Sequence, residues 1–230
     1  MIVSINQPAY LPWLGYFERI AKSDLHVVLD HVQFEKNSFT NRNKIATKNG
    51  PLWLTIPVST KGKFNDLAIN HLEINQAQAW ANKHWNSIKQ VYGKTPFFKD
   101  HEVFFEQTFS RDWIHLSSIN YHITEYLLKA FNIPTPLISS SDMKLESSKS
   151  GLVLEICKQT HATQYLSGAM GKDYLEMDSF TEAGVTVHFQ DYIHPEYTQR
   201  TSKEFTPYMA AIDLLFNHGP DSINILNNSK

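Results

Sequence analysis

The chain has 230 residues, 42% of them hydrophobic and 19% charged, and its formal net charge is -2 at pH 7. This length is near the upper limit for one hydrophobic core, so we expect a single domain over residues 1–230, with a helical subregion at about 76–131. The near-neutral charge excludes a broad cationic surface and argues against nucleic acid or an anionic membrane surface as the main partner. The single cysteine, Cys157, excludes an intrachain disulfide and favours a reducing compartment.

The hydropathy pattern carries no export or membrane signal. Met1–Ile5 leads directly into Gln7-Pro8, without the basic and apolar regions of a signal peptide. No stretch reaches the roughly 18–20 apolar residues that a membrane-spanning helix needs. We therefore expect a soluble, cytoplasmic protein without membrane insertion, and a homo-oligomer is compatible with the sequence.

The N-terminal segment predicts a strand, a loop, a helix and a second strand. Ile2–Ile5 is a strand-like run, and apolar residues between Trp13 and Lys22 recur at helical spacing. Leu25–Asp30 is a second strand-like run, which ends in a carboxylate. Because ligands bind at the carboxyl edge of open parallel sheets, the loop Gln7–Gly15 and the side chain of Asp30 are candidate site elements.

The rest of the chain alternates between strand and helix patterns. Strand-like runs occur at residues 52–58, 136–138, 162–166 and 185–189, and helical patterns at 76–91, 98–109, 114–131, 147–160 and 208–217. The polar stretch Gln33–Asn49 predicts a functional loop between two strands. This alternation predicts an α/β fold, with a mostly parallel sheet and helices on both faces.

The loop after the first strand is the most distinctive part of the sequence. Its free N–H groups at the start of a helix favour an anion such as phosphate, and its aromatic residues could stack on a base or sugar. Alternatively, the prolines only start the helix and the aromatic residues only fill the core. The candidate substrate-binding residues of this loop are Gln7, Tyr10, Trp13, Gly15 and Tyr16.

By position the loop is similar to the His-x-Gly-His signature of nucleotidylyltransferases, which have a HUP-like fold. Trp13-Leu14-Gly15-Tyr16 stands where that signature would lie, and both histidines are absent. In the family those histidines stabilise the phosphate charge of the transition state. Nucleotidylyl transfer with a degenerate motif is therefore one alternative, and it predicts release of pyrophosphate from a nucleoside triphosphate with Mg²⁺.

A longer set of motifs resembles the WbqC-like protein family over nearly the whole chain. The set comprises Gln7–Phe17, Leu29-Asp30, Asn41–Asn43, Tyr165–Gly168, His194–Tyr197, Phe205–Tyr208 and Ile212–Asn217. The resemblance implies a bacterial protein of O-antigen or other surface-polysaccharide biosynthesis, acting on nucleotide-linked amino sugars or their acyl groups. It implies no agreed reaction.

Two further segments offer groups for binding an anion. The first supplies Lys36, Asn41, Arg42 and Asn43, a planar fork donor flanked by amides; its plain alternative is a solvated turn. The second supplies Ser167, Gly168 and Lys172 after a strand, where glycine lets backbone amides approach an anion; the spacing is not that of a P-loop. Ser139-Ser140-Ser141 is more typical of an ordinary turn.

The catalytic candidates are His194 and Asp30. Both follow strand ends, and the ordinary pKa of histidine suits a general base; a helix cap or turn is the alternative role for Asp30. His84 is a second choice, with a core position as its alternative. No metal is expected, because Cys157 and His161 form only one pair at helical spacing.

The sequence therefore predicts a transferase that moves an acyl or aminoacyl group to the nitrogen of a nucleotide-linked amino sugar. A nucleotide or an acyl donor would be its co-substrate, and no other cofactor is indicated. The alternative from another class is a non-catalytic protein of the same pathway that binds a nucleotide sugar.

Overall fold

The computed structural model describes residues 1–60, 67–202 and 204–227. Its strands are β1 (Ile2–Asn6), β2 (Leu25–Val28), β3 (Arg42–Thr47), β4 (Gly50–Thr55), β5 (Leu137–Ser139), β6 (Gln164–Ser167) and β7 (Thr186–Phe189). Its helices are α1 (Leu14–Ala21), α2 (Trp80–Tyr92), α3 (Phe98–Ser110), α4 (Leu116–Ala130), α5 (Lys149–Gln159), α6 (Met177–Glu182), α7 (Ile212–His218) and α8 (Ser222–Asn227).

The main sheet is parallel and has the order β5-β2-β1-β6-β7. From β1 the chain passes to β2 and then to β5 on one side, whereas β6 and β7 follow on the other side. The direction of winding therefore reverses between β1 and β6, and such a reversal leaves a crevice at the carboxyl ends of the two strands.

Helices cover both faces of this sheet. Val3, Ile5 and Tyr165 face a core cluster with α5 and α6, whereas α1 to α4 and α7 form a larger cluster on the opposite face. The predicted α/β class with helices on both faces is confirmed. Within the described ranges, no helix is both long and apolar enough to cross a membrane.

The sequence predicted that the polar stretch Gln33–Asn49 is a loop, and this prediction is only partly correct. Its second half forms β3, which pairs with β4 in an antiparallel hairpin outside the main sheet. Gly50, with a φ of +102°, follows the two-residue turn, and Asn49-Gly50 is a hairpin signal that the prediction passed over. Burial of Ile45 and Leu54 then holds the hairpin on the helical core.

A histidine lies inside the sheet with no exposed surface. His26 of β2 contacts the Ser4 hydroxyl of β1, with 2.8 Å between Nδ1 and Oγ. Burial, aided by the charge of Arg19, lowers the pKa of His26 from 6.5 to about 3. The folded protein therefore keeps this ring neutral at a pH where the unfolded chain protonates it.

Acid should destabilise the protein through this histidine. Between pH 6.5 and 3 the unfolded state binds the extra proton, so stability rises with pH and is lost on acidification. Between pH 6.5 and 5 we expect the wild type to lose roughly 1.5 kcal/mol more than the variant His26→Gln, measured by urea unfolding at both values. The exposed His188, replaced by glutamine, is the control; equal losses in all three proteins would contradict the prediction.

Candidate functional site

The crevice between β1 and β6 is bordered by two segments that the sequence singled out. The loop after β1 begins at Gln7, which is half-buried, and the turn after β6 begins at Gly168. The structure thus brings Gln7, Ser167 and Gly168 to one edge of the sheet. This edge is where small molecules bind in open parallel sheets.

The Gln7–Gly15 loop is held rigidly by its neighbours. The side-chain amide of Asn43 donates to the carbonyl of Leu11 at 2.6 Å, and the N–H of Ala211 donates to the carbonyl of Pro12 at 2.8 Å. Leu11 is fully buried with a φ of +44°, a conformation that a bulky side chain rarely adopts. The surrounding contacts therefore impose a strained shape on the loop, as often occurs at binding sites.

Two aromatic residues of the loop belong to the core rather than to the crevice. Tyr10 is fully buried, and its hydroxyl lies 2.8 Å from Nδ1 of His84. Burial lowers the pKa of His84 to about 4. Tyr16 is buried with its ring against His26. For Tyr10, Tyr16 and His84 the geometry favours the structural alternative.

Trp13 lies directly before α1, and its indole packs against two residues from the C-terminal part of the chain. A methyl group on Gly15 would lie 2.3 Å from the indole, so only glycine allows the ring to lie against the first turn of the helix. The indole meets Tyr192 edge-on at 5.1 Å and Tyr208 at 5.8 Å between ring centroids. We call the set Trp13, Tyr192, His194 and Tyr208 the aromatic wall.

His194 completes the aromatic wall, and its ring lies 4.9 Å from that of Tyr208. Its Nδ1 lies 2.9 Å from the carbonyl of Pro195, which can only accept, so Nδ1 carries the proton and Nε2 has a free lone pair. Nε2 is buried and contacts no described hydrogen-bond partner, and the same holds for the hydroxyl of Tyr192. Burial lowers the pKa of His194, so the ring is neutral at pH 7.

The carboxylate of Asp30 is hydrogen-bonded to the turn after β5. Its carboxylate accepts from the Ser140 hydroxyl at 3.0 Å and from the N–H and hydroxyl of Ser141 at 2.9 and 2.8 Å. The Ser140 hydroxyl also lies 2.6 Å from Nδ1 of His31. Asp30 thus joins the ends of β2 and β5, which matches the turn role left open by the sequence better than proton transfer.

The structure does not bring the Lys36–Asn43 group to the crevice. Asn41 donates to the carbonyl of Ile56 at 2.9 Å, and Asn43 donates to the loop as described above. Arg42 bonds Asn37 and stacks at 4.6 Å over the ring of Trp53. Lys36 is exposed on the segment before β3. The two amides and the arginine therefore shape the hairpin.

The turn after β6 stays at the crevice. Ser167 is buried and donates to the carbonyl of Gly168 at 3.1 Å. Lys172 is exposed, and its ammonium lies 5.5 Å from the ring centroid of Phe189 at the end of β7. Lys172 can therefore act only as a peripheral charge.

Sequence reasoning missed four residues of this edge: Asn6, Arg19, Tyr192 and Tyr208. Tyr208 stands within a quoted motif and has a φ of +61° with half of its surface exposed. Asn6 is the last residue of β1, so the strand-end argument applied to Asp30 could have found it. Arg19 carried no signal, because a basic residue in the last turn of a helix is ordinary.

A pocket of about 280 Å³ lies elsewhere, between β4 and α2. Trp53, Trp80, Lys83 and His84 are among its lining residues, and none of the crevice residues line it. Among the described residues, no group of three or more histidine, cysteine or acidic side chains is arranged to hold a metal ion.

The parallel sheet with helices on both faces defines an α/β protein. The chain belongs to the WbqC-like protein family, whose sequence model matches residues 7–225. It is also 30% identical, over 225 residues, to the uncharacterized protein Rv1507c of Mycobacterium tuberculosis, an alignment that covers 97% of this chain and 96% of that protein. No solved structure matches the chain.

Proposed function

We propose that the protein is a transferase of bacterial surface-polysaccharide biosynthesis, which moves an acyl or aminoacyl group to the nitrogen of a nucleotide-linked amino sugar. Its ligands would occupy the crevice between β1 and β6, and the reaction would take place in the cytoplasm. Family membership and the resemblance of the motifs support the pathway.

One observation carries the proposed chemistry: the buried, unpartnered Nε2 of His194 in the aromatic wall. A neutral imidazole with a fixed tautomer is suited to accept a proton from the amine as its nitrogen bonds to the acyl carbon. The bond between that carbon and the donor's leaving group then breaks, and the imidazolium can return the proton to the leaving group. Burial raises the pKa of Tyr192, so its phenol stays protonated and can donate a hydrogen bond to the carbonyl oxygen. The indole of Trp13 offers a flat surface for a sugar or base.

A non-catalytic nucleotide-sugar-binding protein is the second candidate. The observation that favours it is the commitment of Asp30, whose carboxylate is already used by Ser140 and Ser141. Of the two predicted catalytic residues, His194 alone then has a side-chain atom without a described hydrogen-bond partner. Nucleotidylyl transfer by a HUP-like enzyme is less well supported, since Tyr16 is buried and Trp13 lies in the aromatic wall.

A thermal-shift screen tests the substrate class. Nucleotides, nucleotide sugars and acyl donors would be added singly to the full chain. A nucleotide amino sugar at a hundred times its Kd should raise Tm by roughly 5–10 °C, because it binds only the folded state. Free sugars are the matched controls. If no nucleotide or nucleotide sugar shifts Tm at millimolar concentration, the proposal fails.

A further inference from the structure

Arg19 is a cation without a partner at the crevice. Its side chain is largely buried, its Nε is inaccessible to solvent and has no described hydrogen-bond partner, and Arg19 takes part in neither of the described ion pairs. The neighbouring carboxylate of Glu18 is already engaged by Lys22 and by the amide of Gln190. A desolvated charge without a partner is costly to a fold, so it calls for an explanation.

The guanidinium lies against the turn after β6. A methyl group on Gly168 would stand 2.5 Å from Nη1 of Arg19, so the absence of a side chain there leaves room for the guanidinium. The polar groups near it are the hydroxyls of Tyr165, Tyr16 and Tyr174 and the carboxylate of Glu18. Long helical side chains point back toward the N-terminus of their helix, which directs Arg19 from the second turn of α1 to the carboxyl edge of the sheet.

A second unpartnered donor lies at the same place. The last pair in the register of β1 and β6 is Ser4 with Leu166, and Asn6 and Gly168 each follow that pair by two residues. Asn6 shares a strand face with Ser4, the face that meets His26 and α1. Its side-chain N–H₂ group is buried and has no described hydrogen-bond partner.

We infer that Arg19, Asn6 and the Gly168 turn form a phosphate-binding recess at the end of β1. The two unpartnered atoms, Nε of Arg19 and Nδ2 of Asn6, are both hydrogen-bond donors, and the guanidinium fork matches the oxygens of a phosphate. Lys172 stands at the rim as a second charge. The inference rests on the proposed function, because a nucleotide-linked sugar brings a diphosphate to this edge.

A purely structural arginine is the competing explanation. Its guanidinium would then pack on Tyr165 and Tyr174, and its loss would destabilise the fold. A ligand-binding arginine behaves in the opposite way: removing an unpaired buried charge leaves stability unchanged or raises it, as often found for residues at functional sites. Stability and binding therefore separate the two roles.

The test uses pyrophosphate as the probe, with calorimetric titration and thermal unfolding of the full chain. We expect wild type to bind pyrophosphate, and Arg19→Met to bind it at least about tenfold more weakly without a fall in Tm. Gly168→Ala, which displaces the guanidinium, should weaken binding as well. Arg111→Met makes the same chemical change at an exposed arginine stacked on Trp113 and should bind as wild type does.

Three outcomes would overturn the inference. Wild type could fail to bind pyrophosphate at millimolar concentration, binding could be unchanged in both Arg19→Met and Gly168→Ala, or Arg19→Met could fold with a clearly lowered Tm, as the structural role predicts. If Arg19→Met does not fold, Gly168→Ala decides. The proposed transfer reaction is tested by product formation, so either idea can fail without the other.

Discussion

Replacing His194 by glutamine is expected to lower the rate of product formation by about 10²–10⁴-fold, the usual contribution of a general base. The affinity for the nucleotide sugar should change by less than roughly threefold, because glutamine keeps the polarity and much of the volume. The measurement is turnover by mass spectrometry, with the donor and acceptor found by the thermal-shift screen, alongside direct titration of the sugar ligand.

The pH dependence of the rate gives a second readout. Burial lowers the pKa of His194 below its usual 6.5, so its Nε2 is unprotonated at neutral pH and becomes protonated only in more acidic solution. The wild-type rate should therefore fall on the acid side of pH 6.5, and the residual rate of His194→Gln should not show this limb.

His188→Gln is the control for His194→Gln, because His188 is exposed on β7 and lies outside the aromatic wall. It should retain wild-type turnover. Equal turnover in His194→Gln and wild type would remove His194 from the mechanism. A loss of ligand affinity as large as the loss of turnover would instead favour the non-catalytic binding role.

Replacing Asp213 by alanine should lower the free energy of unfolding by about 3–5 kcal/mol and Tm by roughly 10 °C. Asp213 is fully buried, and its carboxylate accepts from the hydroxyls of Tyr92 and Tyr197 and from the amide of Gln199, each at 2.9 Å. Alanine would remove the acceptor of the Tyr92 and Tyr197 hydroxyls and one of the two acceptors of the Gln199 amide. Urea and thermal unfolding measure the loss.

The same change should disturb the aromatic wall, because the ring of Tyr197 stacks on that of His194 at 6.1 Å. Burial raises the pKa of Asp213, so the folded state keeps the proton at a pH where the unfolded chain has lost it. The free energy of unfolding should therefore fall as pH rises from 3.8 through the raised pKa. Asp213→Asn should lack this dependence and keep one side-chain acceptor oxygen. Asp112→Ala, at an exposed position, is the control. A loss of unfolding free energy below about 1 kcal/mol in Asp213→Ala would contradict the prediction.

The sequence predicted the parallel sheet because its strands are short apolar runs separated by strongly periodic helices. It placed Asp30, Ser167 and Gly168 at strand ends, and the structure brings all three to the carboxyl edge. It did not separate β3 and β4 from the main sheet, since a polar strand such as Arg42–Thr47 has little apolar signal and is stabilised by the helices behind it.

The site was harder to predict than the fold. Amide side chains such as Asn41 and Asn43 can donate a hydrogen bond to a ligand or to a backbone carbonyl. The three-dimensional structure shows that they donate to the carbonyls of Ile56 and Leu11. Arg19 is the converse case. Its importance comes from what surrounds it, the glycine of the turn after β6 and a Glu18 carboxylate already engaged by other groups, and local pattern carries no information about such neighbours.

The hydrogen bond from Asn43 to Leu11 connects a remote hairpin to the entrance of the crevice. A loop that is already locked in its binding shape has little conformational entropy left to lose when a ligand arrives. Discrimination between sugars at this edge would then depend on the fit to a preformed contour, with no closing motion to adapt it. If the proposed nucleotide sugar binds at this edge, a change in the hairpin that removes the hydrogen bond from Asn43 to Leu11 would alter the shape of the loop that the ligand meets.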